Sequence, residues 1–210
     1  MPLRADFLVD AVSAPSGGAG DQLKLKVLVL GGSQGASFVN RIVCDWASQH
    51  LNEEKVALWH QSGESHYEKL KEQYAELIDG VKLEPFITDV LAAYQWADLV
   101  ICRAGAMTVS EIIAVAKPAV FVPFPAAVDD HQFHNARRLC DQGAAIIIRQ
   151  ADFSVARLEA VIKDFLQDSQ RLVTMSHRLK DNAKPEATNA VCEQLFLASG
   201  CGGRRCINVE

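Results

Sequence analysis

Short, almost uninterrupted apolar runs recur along this chain and alternate with helical patterns, and no other feature restricts its fold so strongly. Residues 25–30 (Leu-Lys-Val-Leu-Val-Leu) and 119–122 (Ala-Val-Phe-Val) hold too few polar positions to leave one side in water. Strands of that kind are buried on both faces, as in parallel sheets covered by helices. Further strand-like runs stand at 56–59, 81–84, 99–102 and 145–148, with helical patterns at 37–50, 65–78, 88–96, 108–115 and 132–141. The alternation predicts an α/β fold, a Rossmann-like parallel six-stranded sheet with helices on both faces. Three more helical patterns follow, at 154–167, 169–183 and 186–199, with no strand between them. A Ser-Gly-rich patch at 13–20 precedes the fold and reads as a linker. The expected boundaries are therefore a linker at 1–23, one folded domain at 24–199 and a disordered tail at 200–210.

At 210 residues, 49% hydrophobic and 22% charged, the chain is long enough for one substantial core. A formal net charge of −5 argues against a nucleic-acid surface, and the basic pair Arg204-Arg205 is too short to form one. The six cysteines contain no C-x-x-C pair, and Cys44, Cys102, Cys140 and Cys192 fall on apolar positions of predicted elements. They read as reduced core thiols of a cytosolic protein. No apolar run reaches membrane-spanning length, and residues 1–10 carry two acids where a signal peptide would be apolar.

Between the first strand and the first helix lies Gly31-Gly32-Ser33-Gln34-Gly35-Ala36. Glycines let the backbone turn sharply and approach a ligand, and the unpaired N–H groups of a helix start favour an anion, typically phosphate. The same residues spell G-x-S-x-G, the nucleophile elbow of α/β-hydrolases. That reading needs a downstream acid and histidine on loops after later strands. Asp129 or Asp130 with His134 is too cramped, and His177 lies within a helical pattern. A glycine turn with no ligand is the third possibility. A dinucleotide site is disfavoured: G-x-G-x-x-G is absent, and the second strand runs into His60-Gln61 where an acid should meet a ribose.

In parallel sheets ligands gather beyond the carboxyl ends of the strands, so the residues just after each strand carry the chemistry. After the fourth strand, Thr108-x-x-Glu111 reads as a capping box, or else Glu111 faces the crevice and accepts hydrogen bonds from a vicinal diol such as a ribose. After the fifth strand, Gln132 and Asn135 are three apart and share a helix face, where their amides can meet a sugar. The plain alternative is an amphipathic helix capped by Asp130. His131 and His134 lack a third convergent ligand, and Asp129-Asp130 is not an Asp-x-Asp pair, so no metal is expected.

Several segments then appear in a recognisable order: Gly31 to Ala36, Trp59-His60-Gln61-Ser62-Gly63, Phe86-Ile87-Thr88-Asp89, Ala97-Asp98-Leu99-Val100-Ile101-Cys102-Arg103-Ala104-Gly105-Ala106, Thr108 to Glu111, Val122-Pro123-Phe124 and His131-Gln132-x-x-Asn135-Ala136. Across roughly residues 2–198 the chain resembles the C-terminal half of the bacterial peptidoglycan transferases that add N-acetylglucosamine to undecaprenyl-pyrophosphoryl-N-acetylmuramoyl-pentapeptide, making lipid II. The resemblance implies half of a GT-B glycosyltransferase, two facing Rossmann-like domains of which the C-terminal one holds UDP-N-acetylglucosamine. Gly32, Ser33, Gln34 and Gly35 would then meet the diphosphate, and Ile87 the uracil through its backbone. Arg103 and Gly105 would lie near the nucleotide, Met107 and Thr108 would flank the phosphates, and Glu111 would take the ribose hydroxyls. Gln132 and Asn135 would read the sugar. His131 stands where some members have a second glutamine.

The resemblance further implies an inverting transfer without a metal or other cofactor, in the cytoplasm and peripheral to the inner face of the membrane. The family's G-G-T-G-G-H segment, acceptor site and catalytic base belong to an N-terminal domain with no counterpart here, and Pro2 to Phe7 resemble the interdomain linker. The lipid-linked acceptor would bind only through that missing domain, and this chain alone would be inactive. An uncovered interdomain face would favour weak self-association. A free-standing nucleotide-binding module and a serine hydrolase using Ser33 are the alternatives.

Overall fold

The computed structural model describes residues 24–32, 36–51, 55–75, 77, 80–125 and 130–182. Ser33, Gln34, Gly35, the linker at 1–23, the helix expected at 186–199 and the tail at 200–210 lie outside the described residues.

Six strands, β1 (Leu25–Leu30), β2 (Val56–Gln61), β3 (Val81–Glu84), β4 (Leu99–Cys102), β5 (Ala119–Phe121) and β6 (Ile146–Ile147), form one sheet. Its order is β3-β2-β1-β4-β5-β6 and all its pairings are parallel. The helices are α1 (Ser37–His50), α2 (Tyr67–Gln73), α3 (Val90–Trp96), α4 (Ala106–Val115), α5 (His131–Asp141), α6 (Val155–Gln167) and α7 (Gln170–Asn182). None of these described helices is long and apolar enough to cross a membrane.

Side-chain alternation on β1 divides the core in two, because successive residues of a strand point to opposite faces. Val27 and Val29 pack with Val43, Trp46, Leu158 and Phe165, on the side of α1, α2 and α6. Leu28 packs with Tyr94, Ile112, Phe121 and Leu139, on the side of α3, α4 and α5. Helix α7 serves both sides: Leu172 and Met175 join the first cluster and Leu179 the second. This is the double-sided cover that the apolar runs predict.

The departures from the expected boundaries have local causes. The pattern at 65–78 divides into a 3₁₀ turn, Glu64–His66, and a helix that stops at Gln73. Strand β2 runs on to Gln61 because β1 and β3 both pair with it there. Helix α4 begins at Ala106 rather than at 108, with Gly105 as N-cap and no side-chain cap. Thr108 is thus inside the first turn, and the expected capping box does not form. Asp130 precedes α5 in the left-handed region, φ 52°, and caps nothing; its carboxylate accepts from Arg149 Nη2 at 3.0 Å.

Candidate functional site

The sheet changes winding direction between β1 and β4, so β1 continues to β2 and β3 on one side and β4 to β5 and β6 on the other. Chains leaving two such neighbouring strands diverge and open a crevice at their carboxyl ends. Helices α1, α4 and α5, which follow β1, β4 and β5, all start without a side-chain cap. Of the other helices, α3 and α6 are capped, the Asp89 carboxylate accepting from Ala92 N at 2.9 Å and the Ser154 hydroxyl from Arg157 N at 3.2 Å, whereas α2, which continues from a 3₁₀ turn, has no side-chain cap either. The uncapped N–H groups of α1 and α4 flank the switch point, with those of α5 one strand away, an arrangement an anion would satisfy.

The glycine turn is anchored from beneath. Gly31 N–H donates to the Gln61 carbonyl at 3.0 Å. A Cβ at Gly31 would stand 2.7 Å from that carbonyl oxygen and 3.0 Å from Asn40 Oδ1, so only glycine fits. Gly32 has φ 73° and open space around its missing Cβ. A ligand can approach there, where the resemblance puts the diphosphate.

A buried polar chain holds this anchor, and sequence reading missed it. Asn40 Nδ2 donates to the Ser62 carbonyl at 2.8 Å, which turns Oδ1 toward His60 Nε2 at 3.0 Å. Because Oδ1 can only accept, His60 carries its proton on Nε2, and Nδ1 accepts from the Tyr74 hydroxyl at 2.8 Å. His60 is fully buried, and burial holds its pKa down at about 3. The neutral ring therefore fixes α1, α2 and β2 around the turn.

On the other side of the crevice, side chains stitch the loops together. Arg103 Nη1 donates to the Val122 and Pro123 carbonyls at 3.0 and 3.1 Å, and Nη2 to Gln150 Oε1 at 2.7 Å. Its guanidinium lies 5.4 Å from the centre of the Phe124 ring. Partial burial pulls its pKa below the usual arginine value. Phe124 N–H donates to Gln132 Oε1 at 3.0 Å, and Asn135 Nδ2 donates to the Ala104 carbonyl at 3.0 Å. Arg103, Gln132 and Asn135, picked from sequence as ligand contacts, are thus brought together as loop clamps. Gln132 keeps its Nε2 donors for a ligand and Asn135 its Oδ1 acceptor.

Glu111 is half-buried on α4, and its Oε2 accepts from the Tyr94 hydroxyl at 3.1 Å. With no capping box to serve, the carboxylate has acceptor capacity left for a diol. Ile87 is 2% exposed, packed with the α3–α4 side of the core, while its backbone N–H and C=O have no partner among the described residues. Met107 and Thr108 are half-buried on the first turn of α4, and His131 is exposed at the first position of α5. No group of three or more His, Cys, Asp or Glu able to hold a metal ion occurs among the described residues. Tyr94 and Gln150 were not found from sequence. Gln150 carried a usable signal, since it lies just past the end of β6.

The winding order and the helices on both faces define a Rossmann-like α/β domain, with a candidate site at the switch point. More particularly, the chain belongs to the glycosyltransferase family 28 C-terminal domain, whose family model matches residues 26–191. It is 45% identical over 177 residues to the UDP-N-acetylglucosamine–N-acetylmuramyl-(pentapeptide) pyrophosphoryl-undecaprenol N-acetylglucosamine transferase of Coxiella burnetii, covering 83% of this chain and 49% of that protein. The equivalent transferase of Pseudomonas putida is 39% identical over 192 residues, 91% of this chain and 52% of the relative. The crystal structure of Acinetobacter baumannii MurG superposes with a TM-score of 0.75 at 34% identity, over 93% of this chain and 53% of that one. A Staphylococcus aureus MnaA–UDP structure shares the fold alone, with a TM-score of 0.61 at 12% identity. The chain spans about half the length of the curated relatives it matches.

Proposed function

We propose that residues 24–199 are the donor-binding domain of an inverting glycosyltransferase that moves N-acetylglucosamine from UDP-N-acetylglucosamine to undecaprenyl-pyrophosphoryl-N-acetylmuramoyl-pentapeptide. The observation that carries the proposal is the set of uncapped helix starts after β1, β4 and β5, gathered at the switch point of a chain in this family. Gly32 with Ser33, Gln34 and Gly35 receives the diphosphate, aided by Gly105, Met107 and Thr108. The backbone of Ile87 takes the uracil, Glu111 the ribose hydroxyls, and Gln132, Asn135 and His131 the sugar. Arg103 holds the loops that carry them.

In the reaction an acceptor hydroxyl oxygen attacks the anomeric carbon, the bond from that carbon to the diphosphate breaks, and UDP leaves with the electron pair. Negative charge grows on the leaving diphosphate, and preorganised N–H groups at the helix starts stabilise it without reorganising. The hydroxyl proton passes to a base in the other half of the full-length protein, which also holds the lipid acceptor at the inner face of the cytoplasmic membrane. This half supplies donor binding and leaving-group stabilisation.

Calorimetric titration with UDP-N-acetylglucosamine and UDP-N-acetylgalactosamine, with magnesium and with a chelator, tests the proposal. Binding that prefers the glucosamine epimer and persists in chelator is expected. Tighter binding of the galactosamine epimer, or no binding of either, would overturn it.

A further inference from the structure

We propose that Gln150, on the 3₁₀ turn Gln150–Asp152 between β6 and α6, is a positioning residue of the donor site that acts through Arg103 on Gln132. The inference rests on the donor-binding reading above and extends it to a residue on a third loop. Three links make the relay. Gln150 Oε1 accepts the 2.7 Å hydrogen bond from Arg103 Nη2, which sets the plane of the guanidinium. The same guanidinium, through Nη1, holds the carbonyls of Val122 and Pro123 at 3.0 and 3.1 Å and lies across the Phe124 ring. Phe124 N–H, the next backbone donor along, then takes Gln132 Oε1 at 3.0 Å.

The last link decides how Gln132 presents itself. A side-chain amide can turn over, offering oxygen or NH₂ to the crevice at similar cost. With Oε1 held by Phe124 N–H, the two Nε2 donors are the part left for a ligand, and a sugar hydroxyl or acetamido carbonyl is what they can bind. Arg103 itself spends both terminal nitrogens inside the protein, so it shapes the loop while Gln132 touches the sugar. Gln150 is half-buried, and it joins the turn before α6 to the loops after β4 and β5.

The relay predicts a loss that depends on the sugar. Gln150→Leu removes the acceptor and should weaken UDP-N-acetylglucosamine binding about tenfold while leaving UDP affinity within about twofold, the scale of one lost charge-assisted hydrogen bond. Gln150→Glu keeps an acceptor for the guanidinium and should restore the sugar nucleotide to near wild-type affinity. A merely structural role would lower both affinities together and would not distinguish leucine from glutamate.

A ligand-free measurement separates this relay from the donor reading. Amide hydrogen exchange at Phe124 should quicken about tenfold in Gln150→Leu and not in Gln150→Glu. Unchanged Phe124 exchange in the leucine variant overturns the relay, as do equal losses of UDP and UDP-N-acetylglucosamine. Faster exchange in a protein whose wild type binds no uridine nucleotide would support the relay and sink the donor reading instead.

Discussion

Gly31 has little freedom to change. Its N–H bonds the Gln61 carbonyl against which an added Cβ would collide at 2.7 Å, so neither partner can withdraw without breaking the bond. Gly31→Ala should cost about 1–3 kcal/mol, the usual range for overpacking against a fixed backbone, read as a lower urea midpoint. Glu111 makes the opposite kind of prediction. It is tied to one neighbour by the Tyr94 hydroxyl, and Glu111→Gln retains that hydrogen bond while removing the charge that a ribose diol would meet. Uridine nucleotide affinity should drop about tenfold with the melting temperature nearly unchanged, as titration and a melt on the same sample would show. Equal affinity in the two proteins would remove Glu111 from the site.

At the scale of elements, the buried chain through α1, β2 and α2 ties stability to pH. Unfolded, His60 takes up a proton below its ordinary value of 6.5, whereas the folded ring refuses one until about 3. The unfolded state therefore binds more protons throughout that window. Stability should fall as pH drops from about 6.5 toward 3 and level off below, with the effect on the order of a few kcal/mol. Denaturant midpoints across the window should show a shallower slope in His60→Gln than in the parent. Helix starts give a second contrast. Ser154→Ala removes a cap that is made and should cost about 1 kcal/mol, whereas Thr108→Val removes none and should cost less than about 0.5 kcal/mol.

At the scale of the molecule, two core clusters share one sheet, and α7 contributes to both. Leu158→Ala on one face and Ile112→Ala on the other empty fully buried sites. Each should cost about 2–5 kcal/mol and lower the same single melting transition, seen by circular dichroism. Two separable transitions would show that the faces fold independently. The winding order that binds the two halves of the sheet also makes the crevice, so the site and the core depend on the same arrangement of strands.

The sequence alone determined the architecture, because its signals are local. Runs such as 25–30 and 99–102 are apolar without alternation, which permits only strands covered on both sides, and β1 and β4 start and end where those two runs do. The neighbourhood of the candidate site was also legible, since residues that follow a strand gather toward the sheet's carboxyl edge: Arg103 follows β4 directly, Glu111 sits on α4, and Gln132 and Asn135 open α5. What each does was decided by tertiary structure. Thr108 and Glu111 have capping-box spacing, yet α4 begins two residues earlier, which leaves the carboxylate to Tyr94 from another helix. Arg103 was expected near the nucleotide, and what the sequence did not show is that it clamps loops, because its partners lie 19, 20 and 47 residues away. His60 reads as an ordinary polar strand residue until Asn40 and Tyr74 close around it and fix its proton. Hydrophobic periodicity is set by each element's own residues, whereas hydrogen-bond partners come from loops that only the folded sheet brings together.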